Sequence, residues 1–328
     1  MGTLITVCRI LCLLATCGIV LRATAHAAAE GPPLEKETHT YKAVGETKIQ
    51  ADVYRHNGTG ARPVVVWLHG GALLFGSRGS VPKRLLDLCR AENFVLVSLD
   101  YRLAPEVKLP AIIEDLRDAF RWLREQGPEL CHIDPDRMVV TGGSAGGYLT
   151  LVAGLSGTPR PRALVAYWGY GDVDGDWYTK PSEYYRKQVP LVSKEDAYAA
   201  VGGKVLTGAD GDAAKARIRF YHYLRQNGLW TREVTGFDPA NDHRKLDAYC
   251  PVRSLTAEYP PTLLVHGAAD DDVPYEESAA MDAALTRLKV PHELVTVRGA
   301  GHGLAGGDQK AVDDAHERAL AFIREHLK

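Results

Sequence analysis

Six residues near the middle of this 328-residue chain, Gly142, Gly143, Ser144, Ala145, Gly146 and Gly147, constrain its fold more than any others, because they stand directly behind the apolar run Met138, Val139, Val140, Thr141. A serine with glycine two places away on either side, between a buried strand and a helix, predicts a turn tight enough to push the hydroxyl into the open. Bulky Cβ substituents do not fit beside such a turn. The helix expected over 145–153 aims its first N–H groups at any charge that develops near the hydroxyl. The five-residue pattern alone recurs by chance, so its weight comes from the residues around it.

Upstream, His69, Gly70, Gly71 and Ala72 follow the apolar run from Pro63 to Leu68. A strand ended by a glycine-rich turn exposes consecutive backbone N–H groups, the geometry of an oxyanion hole. Further on come Asp100, Tyr101, Arg102, Leu103, Ala104, Pro105 and Glu106, then Leu109, Pro110 and Ala111. In order and spacing these segments resemble the hormone-sensitive-lipase-like branch of the α/β-hydrolase superfamily, in which HGGG, YRLAPE and GxSAGG follow one another. The resemblance spans roughly residues 64–302. It implies an α/β-hydrolase fold, a mostly parallel doubly wound sheet with a lid-like insertion after strand six. It also implies Ser144 as nucleophile, the amides of Gly71, Ala72 and Ala145 as oxyanion donors, hydrolysis of carboxylic esters, and no cofactor or metal. Two residues depart from the branch: Ala72 stands for the third glycine of HGGG, and Gly143 stands where the branch commonly carries aspartate. We expect a relaxed turn at Ala72, without a positive φ.

A catalytic acid and then a histidine should follow the serine. The run Thr262 to His266 precedes Asp270, Asp271 and Asp272, and the run Glu293 to Val297 precedes Gly301, His302 and Gly303. Of 12 histidines, His302 stands apart in a glycine loop behind the last predicted strand. His69 and His266, at strand ends, read as structural. Successive side chains leaving a strand point in different directions, so only one of the three aspartates can face the imidazole. In the family the acid lies three residues before a Val-Pro pair, here Val273 and Pro274, which implies Asp270 and leaves Asp272 to cap the helix that follows.

Apolar runs at 64–68, 94–99, 138–141, 163–168, 262–266 and 293–297 read as strands, and 83–91, 112–125, 145–153, 276–288 and 311–326 show helical periodicity. An antiparallel hairpin, 40–44 with 48–54, precedes them around Gly45 and Glu46. Such alternation calls for a largely parallel sheet covered on both faces, in one catalytic domain over 28–328. The stretch 169–259 breaks it, carrying eleven tyrosines and tryptophans and no buried-strand run. Helical spacing over 215–226 and the pair Ser193 and Asp196 suggest helices there. This insertion is the candidate lid and acyl-pocket wall, although its aromatics also suit a core of their own.

A net charge of −2, with no basic stripe, argues against nucleic acid as a partner and leaves a small-molecule ester, a carbohydrate ester among the candidates. The first 27 residues read as a signal peptide: Arg9, an apolar stretch too short to span a bilayer comfortably, then small residues suited to cleavage after Ala25 or Ala27. Export follows, periplasmic or extracellular. Removing that segment leaves Cys89, Cys131 and Cys250, an odd number. The acidic run Asp172, Asp174, Asp176 lacks the glycine placement of an EF-hand and reads as a solvated loop. An exported amidase or peptidase and a catalytically silent binding protein are the alternatives on this fold. The intact serine, histidine and acid weigh against the second.

Overall fold

The computed structural model describes residues 32–155 and 160–328. The proposed signal peptide lies outside the described residues. An eight-stranded sheet runs in the order β1-β2-β4-β3-β5-β6-β7-β8. These strands are β1 (Glu35–Val44), β2 (Thr47–Arg55), β3 (Arg62–Leu68), β4 (Val95–Leu99), β5 (Ile133–Gly143), β6 (Ala163–Tyr167), β7 (Thr262–Gly267) and β8 (His292–Val297). The β1–β2 hairpin is antiparallel and β2 also pairs antiparallel with β4; from β4 to β8 every pairing is parallel.

The apolar runs lie in the parallel strands because those strands are covered on both sides. On β3, Val64, Val66 and Leu68 face the core built with the helices Leu109–Glu125 and Ala145–Leu155, while Val65 and Trp67 face the core built with Lys83–Glu92 and Gln309–Leu327. The period of two along the strand thus feeds two separate apolar layers. Register sets Leu68 opposite Gly142 and Gly143 opposite Tyr167, so the ends of β3, β5 and β6 lie level at the carboxyl edge.

The structure extends several expected elements. β1 reaches back to Glu35 and β5 to Ile133, through polar residues that a search for apolar runs passes over. Between β6 and β7 the insertion holds seven α-helices and one 3₁₀ turn, of which only Gly211–Asn227 is long. Ser193 caps the helix Lys194–Tyr198 through a 3.0 Å bond from the Asp196 amide. Tyr178 stacks on Trp230 with centroids 3.7 Å apart, and Tyr170 meets both rings edge-on. All three are fully buried, and Tyr170 also stacks on Tyr148 of the helix Ala145–Leu155 at 4.8 Å, so the insertion's aromatics continue the core over the sheet.

The insertion rests on the loops at the carboxyl edge. Arg217, buried on the helix Gly211–Asn227, ion-pairs with Glu106 at 2.7 Å and donates to the carbonyls of Leu74 and Ala104. Both charged side chains are almost wholly out of water, so neither can lose its partner cheaply. Arg217→Met should destabilise the fold by about 3–5 kcal/mol in urea unfolding, through the uncompensated Glu106 carboxylate. The double variant Arg217→Met/Glu106→Gln should recover much of that loss.

Candidate active site

At the end of β5 the chain turns into the helix Ala145–Leu155 through Ser144, whose φ is +58°. The turn is held by the Ser144 amide, which donates to Tyr167 O at 2.9 Å, and by the Tyr148 amide, which donates to Ser144 O at 2.9 Å. A Cβ on Gly146 would lie 2.0 Å from Leu68 O, and one on Gly142 would lie 2.4 Å from Gly146 O. Only glycine permits that approach. At Gly143 a Cβ would meet the Trp168 indole at 3.2–3.4 Å. Trp168 therefore lies beside the position where the related branch carries an aspartate.

The turn after β3 lies against this elbow, since a Cβ on Gly70 would sit 3.4 Å from Ser144 Cβ. Among the described residues, none accepts a hydrogen bond from the amides of Gly71, Ala72 or Ala145. These are the three donors expected to receive an oxyanion. The turn carries Gly71 at φ +108°, Ala72 at +53° and Leu73 at +64°. The expectation of a relaxed Ala72 is therefore wrong: the residue is held in the left-handed region, which costs an alanine about 1–2 kcal/mol. Contacts absent from any local pattern hold it there. Leu74 N and Phe75 N donate to Gly71 O, Trp230 Nε1 donates to Ala72 O at 3.2 Å, and Ala104 N donates to Leu73 O at 2.9 Å.

His69 lies beneath the turn, fully buried and stacked on Tyr101 at 4.2 Å. Its Nδ1–H donates to Gly70 O at 2.8 Å, and burial lowers its pKa to about 4, so the ring stays neutral. It has the structural place expected of it.

Asp270 and His302 come together: His302 Nδ1 lies 2.8 Å from Asp270 Oδ2. The other carboxylate oxygen, Oδ1, accepts from the amides of Asp272 and Val273, each at 2.9 Å. Burial alone would push the Asp270 carboxyl up, but His266, His302 and the Val273 amide outweigh it and hold the group well below the usual carboxylate range. Burial also pushes His302 down, yet the Asp270 hydrogen bond and the charges of Asp272 and Asp270 raise it above the ordinary histidine value. His266 supports the acid from behind. Its Nε2 lies 3.4 Å from Asp270 Oδ2 and 3.0 Å from Val273 O, while Nδ1 meets Ser278 Oγ at 2.6 Å.

The three adjacent aspartates part as the strand geometry demands: Asp270 turns inward, Asp271 is exposed, and Asp272 faces the insertion. Asp272 does not cap a helix. The helix Tyr275–Leu288 begins after Pro274 with no side-chain cap, and the amides of Asp272 and Val273 before it are taken by Asp270. Asp272 Oδ1 instead accepts from the hydroxyls of Tyr185 and Tyr221 and from Arg225 Nη1 at 2.7 Å. Arg225, Tyr185 and Tyr221 were not singled out as site residues by sequence, since their partner lies in another loop.

The acidic run at 172–174 is not a solvated loop. The Asp174 side chain is buried and bound by His243 and by Arg253 at 2.8 Å, and the same guanidinium reaches Asp172 at 3.3 Å and Cys250 Sγ at 2.9 Å. An arginine thus neutralises the cluster of Asp172, Asp174 and Cys250 whose atoms lie close enough to hold a cation. Cys89, Cys131 and Cys250 are all unpaired and buried, and burial pushes each thiol up, Cys131 to about 12.

Residues 65–306 match a family model described as alpha/beta hydrolase fold. The chain belongs to that family. Its sheet resembles that of an alpha/beta hydrolase superfamily protein from Enterococcus faecalis, with a TM-score of 0.68 at 22% identity over 89% of this chain and 99% of the other. A thermophilic esterase from Thermogutta terrifontis aligns with a TM-score of 0.59 at 22% identity over 88% of this chain and 92% of the other. Among curated relatives, a non-reducing polyketide synthase of Aspergillus calidoustus is 27% identical over 90% of this chain, and one of Stereocaulon alpinum is 27% identical over 81%. The chain spans only 14% and 12% of those two proteins.

Ala72→Gly tests the conformation of the oxyanion turn. It relieves about 1–2 kcal/mol of strain and adds about 0.4–1 kcal/mol of unfolded-state entropy, so the variant should gain up to about 1.6 kcal/mol in chemical denaturation. A loss of stability would mean that the positive φ is not strained.

Proposed function

We propose that this protein is an exported carboxylesterase that cleaves small-molecule esters through a Ser144–His302–Asp270 triad and an acyl-enzyme intermediate. The observation that carries the reading is the 2.8 Å contact of His302 Nδ1 with a carboxylate held ionised, in a chain that also turns through a left-handed serine between β5 and the helix Ala145–Leu155. His302 Nδ1–H donates to Asp270, which leaves Nε2 as the base. Ser144 Oγ attacks the ester carbonyl while its proton passes to Nε2. The carbonyl oxygen, now negative, is received by the amides of Gly71, Ala72 and Ala145, each such donor supporting about 3–4 kcal/mol of the barrier reduction in other hydrolases. The imidazolium then protonates the departing alkoxide. Water, activated in the same way, releases the acid and restores Ser144. None of these steps calls on a cofactor.

The insertion supports a pocket wall through Tyr221, which meets Phe75 of the oxyanion turn edge-on at 6.4 Å. Among the described residues no helix is long and apolar enough to cross a membrane. Export therefore rests on the residues before Ala28. Nitrophenyl esters of increasing acyl length, run beside acetylated and feruloylated sugars, thioesters and amides, would define the substrate. Uniform failure across the panel, with no labelling by a fluorophosphonate, would overturn the assignment.

Ser144→Ala should lower ester turnover by about 10⁴- to 10⁶-fold and abolish fluorophosphonate labelling with the melting temperature nearly unchanged. Asp270→Asn should cost about 10⁴-fold in kcat by favouring the wrong imidazole tautomer. Catalysis needs neutral His302, whose pKa the two aspartates raise. Activity should therefore fall as the pH drops through a midpoint above the ordinary histidine value of about 6.5, as a kcat/KM profile would show.

A further inference from the structure

Two carboxylates face His302 from different sides. Asp270 takes Nδ1, and Asp272 Oδ2 lies 3.6 Å from Nε2, the nitrogen that must exchange a proton with Ser144. The position of Asp272 is not set by its own loop. Its Oδ1 is bound by Tyr185 from the helix Glu183–Lys187 and by Tyr221 and Arg225 from the helix Gly211–Asn227, and Arg225 Nη1 also donates to Asp272 O at 2.9 Å. Arg225 is 2% exposed, with its guanidinium 4.9–5.7 Å from the ring centres of Trp177, Tyr178, Tyr185 and Tyr221. Such a buried cation needs a counter-charge, and Asp272 supplies it.

We propose that Asp272 is a positioning residue of the acyl-transfer reaction: the insertion fixes its Oδ1 so that Oδ2 faces His302 Nε2 and stabilises the imidazolium that forms as Ser144 is deprotonated. The proposal rests on the esterase reading of Ser144 and His302. Proton traffic is unchanged, from Ser144 Oγ to Nε2 and from Nε2 to the leaving alkoxide, and Asp272 gains no proton. Its contribution is charge placed where positive charge develops, and that is worth most when the carboxylate cannot turn away. Three charged groups act on His302: Asp270 and Asp272 favour the imidazolium, and Arg225 opposes it. Of this insertion-linked pair, Asp272 acts on His302 more strongly than Arg225 does. The insertion would then govern the chemistry directly, by docking an arginine and two tyrosines on a residue two places from the triad acid.

The test is an NMR titration of the His302 imidazole in the full chain, wild type against Asp272→Asn, alongside kcat and KM as functions of pH. Asparagine keeps an acceptor oxygen for Tyr185, Tyr221 and Arg225. The variant should titrate lower by about half a pH unit or more, its acid limb should move to lower pH by the same amount, and its plateau kcat should fall about tenfold with KM little changed. A wild-type midpoint in the folded variant overturns the proposal. Should Asp272→Asn fail to fold around the unpaired Arg225, the double variant Arg225→Gln/Asp272→Asn removes both charges. Its midpoint should still fall, and one at or above the wild-type value is equally fatal. Titration needs no turnover, so an unshifted midpoint leaves the esterase reading standing. A wild type that neither cleaves esters nor labels with a fluorophosphonate instead removes the reaction to which Asp272 is assigned.

Discussion

The carbonyl of Leu68 meets the backbone of Gly146 with no side chain between them, and the arrangement of the site depends on that contact. Because a Cβ at Gly146 would fall 2.0 Å from this oxygen, the exit of β3 and the first turn of the helix Ala145–Leu155 approach as backbone against backbone. The turn after Leu68 is thereby laid beside the elbow, with Gly70 against Ser144. On the proposed reading, donors and nucleophile then share one rigid frame. Preorganised dipoles help most in that setting, since nothing must reorient as charge develops.

Around this frame the segment from Asp100 to Glu106 works as a brace. Tyr101 stacks on His69 and donates to its carbonyl at 2.8 Å, Arg102 pairs with buried Asp115 through two 2.7 Å bonds, and Glu106 meets Arg217 from the insertion. Each contact joins a different element to the oxyanion turn or its neighbour. The motif is therefore explained by support of the turn, and none of its residues needs to touch a substrate. The insertion meets the sheet in two ways, through aromatic rings around Tyr178 and Trp230 that join the core above it and through a polar set of Arg217, Arg225, Tyr185 and Tyr221 that bonds to the loops. Deep burial of Arg217 and Arg225 means that separating the insertion from the sheet would expose two strongly coupled charges.

What the sequence revealed follows the same physics. Parallel strands buried on both faces must be apolar throughout, so β3 to β7 were visible as runs, whereas β1 and β8 at the sheet edges and the first residues of β5 mix polar side chains, and β1 and β5 were seen only in part. Ser144, His302 and the turn at 69–72 stood out because glycine marks backbone that no other residue can follow. Short helices of the insertion were hidden, since four to six residues hold too little periodicity to separate helix from loop. Asp272 was misassigned for a different reason: a carboxylate before a helix usually caps it, and the competing partner, Arg225, lies 47 residues away. The left-handed conformation of Ala72 was misjudged in the same way, because the contacts that hold it come from Trp230 and Ala104.

Backbone strain gathers where these long-range contacts meet. Of eight non-glycine residues with positive φ among the described residues, Ala72, Leu73, Ser144, Trp168 and Leu304 follow strands at the carboxyl edge, whereas Asn93 and Lys289 merely end helices and His132 precedes β5. Each such residue costs about 1–2 kcal/mol and persists only if its surroundings leave it no alternative. Trp168 is held by its amide bond to Val265 O, and Ser144 by Tyr167 O. Leu304 is buried and donates to Gly301 O within the loop that carries His302. Ala72, Leu73 and Ser144 among them lie in the turns after β3 and β5, which approach each other at Leu68 O and Gly146. A chain that relaxed them would gain stability while losing the fixed relation between these turns, and on the proposed reading of Ser144 as nucleophile that trade is what a site built on preorganisation requires.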